Sequence, residues 1–322
     1  MRYWLVMPAA GVGRRFGNTK PKQYAPLQGR TVIEWALAPF LADPHCAGAS
    51  ISLASDDPYW GEVADRLAKL PGRTAEIIVA AGGAERSQSV RKGLEALATR
   101  ATDEDWVLVH DAARPCLSVH DLQQLLQRLG SHRVGGILAT PAADTLKRAS
   151  IETRTAAGPG AISPTVGLTA GSPSAAGSPG GQPLPGAPTS SGSPGGNSAA
   201  SPTPPGGSPP ASAPASGAAS GPIPAIANAT SPGPEIDATV DRAGLWRALT
   251  PQMFRYKLLC TALDQALASG RLPTDEAQAL EWTGEHPVLV QGSAANIKIT
   301  SADDLVLAAA LLNARESTTA TR

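Results

Sequence analysis

Near the N-terminus the chain reads Pro8-Ala-Ala-Gly11-Val-Gly13-Arg14-Arg15-Phe16-Gly17, and Lys20-Pro21-Lys22-Gln23 follows almost at once. Small residues let a backbone approach a phosphate closely and aim its N–H groups at it. Arg15 and Lys22 carry the charge needed to neutralise a nucleoside triphosphate. Two common phosphate signatures are excluded. The dinucleotide fingerprint G-x-G-x-x-G would need a small residue where Phe16 stands, and the Walker pattern needs a Gly-Lys-Ser/Thr that is absent. Taken alone, the stretch also reads as an ordinary strand-to-helix loop with solvated charges.

A second constellation is Val107-Leu-Val-His-Asp111-Ala112-Ala-Arg114-Pro115, an apolar run that ends in a carboxylate. Ligands of open α/β sheets collect at the carboxyl ends of strands, and a hard carboxylate suits Mg²⁺ held on phosphates. Taken alone, Asp111 also reads as a helix-capping residue with Arg114 as its partner. Gly82-Gly83-Ala84-Glu85-Arg86-Ser87-Gln88-Ser89-Val90 offers glycines and the Ser89 hydroxyl for reading a base, and reads also as a plain helix start. Two further segments stand out, Thr239-Val-Asp-Arg242-Ala-Gly-Leu-Trp246-Arg-Ala-Leu-Thr250-Pro251-Gln252 and Asn296-Ile-Lys298-Ile-Thr300. A lone Lys298 on a strand would ordinarily be an exposed edge residue.

Positioning these residues requires alternating strands and helices, and the hydrophobic pattern supplies them. Strands are predicted at Tyr3 to Met7, Ser50 to Ala54, Glu76 to Ala80, Trp106 to His110 and Gly136 to Thr140. Between them, helical spacing runs over Thr31 to Leu41, Tyr59 to Leu70, Gln88 to Ala98 and Ser118 to Leu129, with Ser118 as an N-cap. This alternation predicts βα units on a largely parallel sheet. It then fails. Thr145 to Arg148 and Ile236 to Val240 read as two sides of a hairpin, after which helices return at Tyr256 to Ala268, Thr274 to Trp282 and Ala302 to Leu312. Late strands are expected at Val288 to Val290 and Ile297 to Ile299.

What separates the hairpin strands is compositionally unlike the rest. From Thr155 to Pro234 there is no charged, histidine or aromatic residue, and Gly, Pro, Ala, Ser and Thr dominate. Such a segment has little apolar surface to offset its ordering entropy and reads as disordered. Loop-closure cost grows only logarithmically with length, so its size is compatible with a hairpin tip. The reading is therefore one domain over 1–154 and 235–318, an insertion over 155–234 and a tail at 319–322. Removing the insertion leaves roughly 240 residues, enough for one α/β core.

Of the 322 residues, Lys plus Arg and Asp plus Glu each number 27. No global basic field exists to collect nucleic acid, so phosphate binding must be local. Cys46, Cys116 and Cys260 form no Cys-x-x-Cys pair and read as buried or incidental thiols. The run from Met1 to Pro8 is too short for a signal-peptide core and lacks a basic leader. No run approaches the roughly 20 apolar residues that span a bilayer. A cytoplasmic enzyme with no membrane partner is the expectation.

The pattern P-A-A-G-x-G-x-R followed by P-K-Q resembles nucleotidyltransferases of the sugar-nucleotide type. Adding GGxxRxxSV, HDAARP, DT, TVDRxxLWxALTPQ, TDEA and NIKIT, in that order, the chain resembles the methylerythritol phosphate cytidylyltransferases over nearly everything outside Thr155 to Pro234. The resemblance implies a Rossmann-like, mostly parallel sheet of the nucleotidyltransferase type with a protruding β-hairpin arm, here carrying the insertion. It implies cytidylyl transfer from CTP to 2-C-methyl-D-erythritol 4-phosphate with release of pyrophosphate. Ala9, Ala10, Gly11, Gly13, Gly83, Ser89 and Asp111 would hold CTP, Arg15 and Lys22 would stabilise the transition state, and Asp111 would bind Mg²⁺. Ala112, Arg114 and Lys298 would line the pocket, with Lys298 also catalytic. A homodimer with arm exchange is implied, so that Thr145, Arg242 and Thr250 serve the neighbouring subunit, the last two on the acceptor phosphate. Ala84 and Ala295 depart from the Asp that some relatives carry. Readings left open are a different polyol phosphate, such as ribitol 5-phosphate, and a non-catalytic dimeric scaffold.

Overall fold

The computed structural model describes residues 1–11, 20–70, 75–150 and 234–320. Gly13, Arg15 and all of the expected insertion but Pro234 lie outside the described residues. The chain divides into two units, Met1–Arg148 with Ala238–Arg322, and Ala149–Asp237. In the second, the Ser150 N–H donates to the Glu235 carbonyl at 2.9 Å.

The elements run as β1 (Tyr3–Pro8), a 3-10 turn (Lys22–Tyr24), β2 (Pro26–Leu27), β3 (Arg30–Thr31), α1 (Val32–Leu41), β4 (Cys46–Leu53) and α2 (Trp60–Ala68). Next come β5 (Glu76–Ala81), α3 (Arg86–Glu95), β6 (Trp106–Val109), α4 (Val119–Leu129) and β7 (Gly135–Pro141). The chain closes with β8 (Leu146–Ala149), β9 (Ile236–Val240), β10 (Trp246–Arg255), α5 (Tyr256–Ala268), α6 (Glu276–Glu281), β11 (Val288–Gln291) and α7 (Ala302–Ala320).

Seven strands form one sheet in the order β11-β7-β10-β6-β1-β4-β5. All neighbours pair in parallel except at β10, which is antiparallel to both β6 and β7. Alternation along β1 sends Tyr3, Leu5 and Met7 into one core, with residues of α1, α2 and α4. Trp4 and Val6 enter the other, with α3, α5 and α6. Burial on both faces explains why the central strands read as unbroken apolar runs. Helix α3 comes down close to the sheet because Gly93 has no side chain; a Cβ there would meet Val6 Cγ1 at 2.7 Å and Ser52 Oγ at 2.9 Å. A third, smaller cluster seats α7 through Ala308 and Leu312 against Leu27, Val32 and Ile299.

Helix starts follow local chemistry. Thr31 and Glu34 form a capping box at α1. Ser118 caps α4 as predicted, its Oγ accepting from Asp121 N at 3.0 Å. β8 and β9 pair as a two-stranded sheet of their own, as the sequence suggested, and Lys147 Nζ donates to Thr239 Oγ1 at 2.7 Å. Among the described residues no helix is long and apolar enough to cross a membrane.

Two expectations fail. Ile297–Ile299 is not a strand. Its backbone groups go singly to other partners, Ile299 N–H to Ala113 O at 2.8 Å and Ile299 O to Lys22 Nζ at 2.9 Å, so no ladder forms. The antiparallel strand β10 was not anticipated at all. It contains Pro251, which lacks the N–H a central strand needs, and the ladder to β7 shifts register between Ala248 and Gln252 to accommodate it. The Thr250–Pro251 peptide bond is cis.

Candidate active site

β1 and β6 lie side by side in the sheet, and their successor helices α1 and α4 contribute to one core while α3 and α5 contribute to the other. The two strands run parallel, so the loops that follow them leave at the same edge of the sheet, beyond the carboxyl ends where ligands of open α/β sheets collect. A cleft of about 540 Å³ is found there. Its lining includes Ala9, Ala10 and Gly11 after β1, Lys22 on the 3-10 turn, Gly83 and Ser89 beside β5, Asp111 and Ala112 after β6, and Lys298. Nine residues singled out from sequence thus converge, from five separate segments.

Hydrogen bonds fix the cleft walls. Ala9 N–H donates to Ser52 O at 2.8 Å and Gly82 N–H to Leu53 O at 2.6 Å, so both loops are tied to the end of β4. Gly82 packs so near the first loop that a Cβ would lie 2.2 Å from that of Ala10. The Ser89 hydroxyl accepts from Gly83 N–H at 3.0 Å and donates to Glu85 O at 3.1 Å, so it shapes the Gly83 turn. Buried Gln23 donates from Nε2 to Ala9 O at 2.8 Å and to Gly11 O at 3.2 Å.

Asp111 is the electrostatic centre. Lys298 Nζ is 2.9 Å from its Oδ2, Arg86 Nε 3.0 Å from its Oδ1, and Arg114 Nε 3.4 Å from Oδ2. Burial pushes the carboxyl up, but the charges of Arg86, Lys298 and Arg114 prevail and hold it far below the ordinary carboxylate range. Arg86 is in turn gripped by Glu276, which is fully buried, through Nη1–Oε1 at 2.6 Å and Nη2–Oε2 at 3.1 Å. Burial opposes the guanidinium charge, yet Glu276 and Asp111 together hold Arg86 protonated. These five groups carry three positive and two negative charges, leaving the cleft a net attraction for anions.

Beneath them runs a buried chain. His110 Nε2 lies 3.1 Å from Arg114 O, which can only accept, so that nitrogen carries the hydrogen. Nδ1 then accepts from Thr250 Oγ1 at 2.9 Å, and Thr250 Oγ1 accepts from Asp111 N–H at 3.2 Å. Burial pushes His110 down to about 4, so the ring is neutral near pH 7. Arg114 Nη1 donates to Asn296 O at 2.7 Å, and Asn296 Nδ2 to Thr250 O at 2.7 Å.

Four expected site residues do not line the cleft: Arg114, which lies behind it on Asp111 and Asn296 O, and Thr250, Thr145 and Arg242. Thr250 is buried at 4% exposure with its hydroxyl engaged by His110 and Asp111, so it supports the site from below and offers no group to an acceptor. Thr145 and Arg242 are exposed and away from the lining, with Arg242 Nη1 donating to Ala143 O. Conversely, Arg86, Glu276 and His110 belong to the charged centre although sequence singled out none of them. Each stood inside a quoted motif, GGxxR, TDEA and HDAARP, and the signal was an ionisable residue in a motif without a stated job.

A sheet covered by helices on both faces, with small-residue loops and a cation-rich cleft at the carboxyl ends of its parallel strands, defines an α/β protein built to take a phosphorylated nucleotide. A family model described as 2-C-methyl-D-erythritol 4-phosphate cytidylyltransferase matches residues 3–159 and 218–314. The chain belongs to the 2-C-methyl-D-erythritol 4-phosphate cytidylyltransferase family. A protein of that name from Halorhodospira halophila is 39% identical over 99% of this chain and 97% of its own length. Another, from Vibrio vulnificus, is 36% identical over 94% of this chain and 91% of its own. Among solved structures, a 4-diphosphocytidyl-2C-methyl-D-erythritol synthase superposes with a TM-score of 0.61 at 26% identity, covering 97% of this chain and 98% of the other. The Francisella tularensis 2-C-methyl-D-erythritol 4-phosphate cytidylyltransferase gives 0.60 at 25% identity, covering 97% of this chain and all of the other.

Proposed function

We propose that the chain transfers the cytidylyl group of CTP to 2-C-methyl-D-erythritol 4-phosphate, giving 4-diphosphocytidyl-2-C-methyl-D-erythritol and pyrophosphate. The observation that carries this is the cleft itself, where the loop after β1, Lys22 and the Asp111–Lys298–Arg86 cluster face one volume. A phosphate oxygen of the acceptor forms the new bond to the α-phosphorus, and the bond from that phosphorus to the oxygen bridging toward the β-phosphate breaks. The acceptor phosphate is already an anion near neutral pH and needs no base. His110, neutral and bonded within the fold, is correspondingly not one. What the reaction requires is alignment and neutralisation of two anions that must meet. Lys22 and Lys298 supply charge from the cleft wall, and Arg15 joins them on the resemblance of its motif.

The family implies a divalent cation. Among the described residues no three His, Cys, Asp or Glu side chains converge, so a resident ion is not fitted. A lone ionised carboxylate does fit an ion that arrives on the triphosphate, since Mg²⁺ commonly takes one or two carboxylates and completes its shell with phosphate oxygens and water. Asp111 would hold it there, and the ion supplies further neutralisation of the phosphates when bound.

Thr145 and Arg242, exposed and outside their own cleft, are read as serving the cleft of a second copy in a homodimer with exchanged arms. The test is pyrophosphate release by the purified chain with CTP, Mg²⁺ and methylerythritol phosphate, against ribitol 5-phosphate and the other nucleoside triphosphates. Release confined to CTP with methylerythritol phosphate is expected. A preference for ribitol 5-phosphate changes the acceptor, and no release from folded protein overturns the reading.

A further inference from the structure

Gln23 is 4% exposed, yet it spends its carboxamide on the loop that opens the cleft. Its Nε2 is 2.8 Å from Ala9 O and 3.2 Å from Gly11 O. Both partners are carbonyls, which only accept, so the amide orientation is fixed and both N–H hydrogens are used. A loop that receives phosphate must present N–H groups and keep its carbonyl oxygens occupied elsewhere, because a carbonyl facing a polyanion repels it. Gln23, itself among the residues lining the cleft, occupies two carbonyls of that loop, two residues apart. The opposite edge is held by Ala9 N–H on Ser52 O at 2.8 Å.

The same turn carries Lys22. Tyr24 N–H bonds Pro21 O at 2.9 Å and Ala25 N–H bonds Lys22 O at 3.1 Å, so the turn is internally closed, and Lys22 Nζ reaches Ile299 O at 2.9 Å. One closed turn therefore links the shape of the phosphate loop to the place from which the Lys22 charge acts.

We propose that Gln23 is a positioning residue for the nucleotide triphosphate, setting the carbonyl directions of the loop after β1 through its two hydrogen bonds. Resting on the cytidylyltransferase reading, this assigns Gln23 to the affinity for CTP and not to that for the acceptor. Gln23→Met removes both donors at nearly constant shape, and Gln23→Glu replaces them with a charge that the two carbonyls and the triphosphate all repel.

The experiment is steady-state kinetics of wild type and both variants with each substrate varied in turn, alongside CTP binding by calorimetry and thermal melting. Wild-type turnover with CTP and methylerythritol phosphate is the control, and its absence defeats the functional reading and not this one. Given that control, KM and Kd for CTP are expected to rise about tenfold in Gln23→Met and further in Gln23→Glu, with KM for the acceptor within about twofold, on the usual cost of unpaired polar groups. Unchanged CTP affinity in a folded variant, or equal loss toward both substrates, overturns the proposal. Should Gln23→Glu fail to fold, Gln23→Met decides the matter alone. Should both fail, Gln23→Asn, too short to reach both carbonyls, must show the same split, and its wild-type CTP affinity overturns the assignment.

Discussion

Lys298 Nζ lies 2.9 Å from Asp111 Oδ2 although the two residues belong to motifs far apart in the sequence. The carboxylate holds the lysine at the cleft wall before any substrate arrives, and Arg86 holds the carboxylate's other oxygen. Preorganised charge of this kind costs no rearrangement during the reaction.

Asp111→Asn keeps the shape but gives up the charge that orients Lys298 and Arg86. Turnover at saturating substrate is expected to fall about 100-fold, the scale on which single preorganised groups act. A folded variant with near-normal kcat would show that Asp111 has only a structural part.

Glu276→Ala removes one of the two carboxylates that hold the half-buried Arg86 guanidinium. A loss of roughly 1–3 kcal/mol in unfolding free energy is expected from urea denaturation, because Arg86 loses one charged partner and keeps Asp111. Replacing both, as Arg86→Met with Glu276→Leu, should recover much of that stability while activity stays low.

His110 is held neutral, with its pKa moved down from 6.5 to about 4 in the folded chain. Between those values the unfolded chain binds more protons, so stability is fully present above about pH 6.5 and is lost as pH falls toward 4. The loss amounts to roughly 3 kcal/mol. Denaturant titrations from pH 7 to 4.5 should show this slope in the wild type and a shallower one in His110→Gln.

If Arg242 serves a second copy, Arg242→Ala and Lys22→Ala variants are each expected to be nearly inactive alone. Mixed and allowed to exchange subunits, they should regain activity, because a mixed dimer contains one cleft with both residues intact. No recovery after demonstrated exchange would assign Arg242 another role.

Replacing 155–234 by a short turn should leave turnover with CTP unchanged. The segment has no charged or histidine side chain to bind phosphate or move a proton, and shortening a loop lowers its closure cost only slightly. Loss of turnover in a folded product would show that the segment contributes to the reaction.

Sequence pattern found the elements whose signal is local. β1, β6 and α5 fall within a residue of their expected limits, because uninterrupted apolar runs and helical spacing survive without tertiary knowledge. β10 did not show itself, since Pro251 argues against a central strand unless the register shift that shelters it is known. Ile297–Ile299 had strand residues but no adjacent strand to pair with, and pairing is a property of the fold. The cleft repeats this division. Gly11, Lys22 and Asp111 stand in dense motifs, whereas the Arg86–Glu276 pair joins positions 190 apart. Nothing in either neighbourhood says that a guanidinium will be buried against that carboxylate.

Ser52 has a consequence of a mechanical kind. Its carbonyl holds Ala9 N–H at 2.8 Å, and its hydroxyl donates to Ser89 O at 2.7 Å. Two opposing jaws are thus fastened to one fixed point on a central strand, like the arms of a caliper locked at its pivot. The spacing between these two walls is therefore set by the sheet itself, when β1, β4 and α3 pack together.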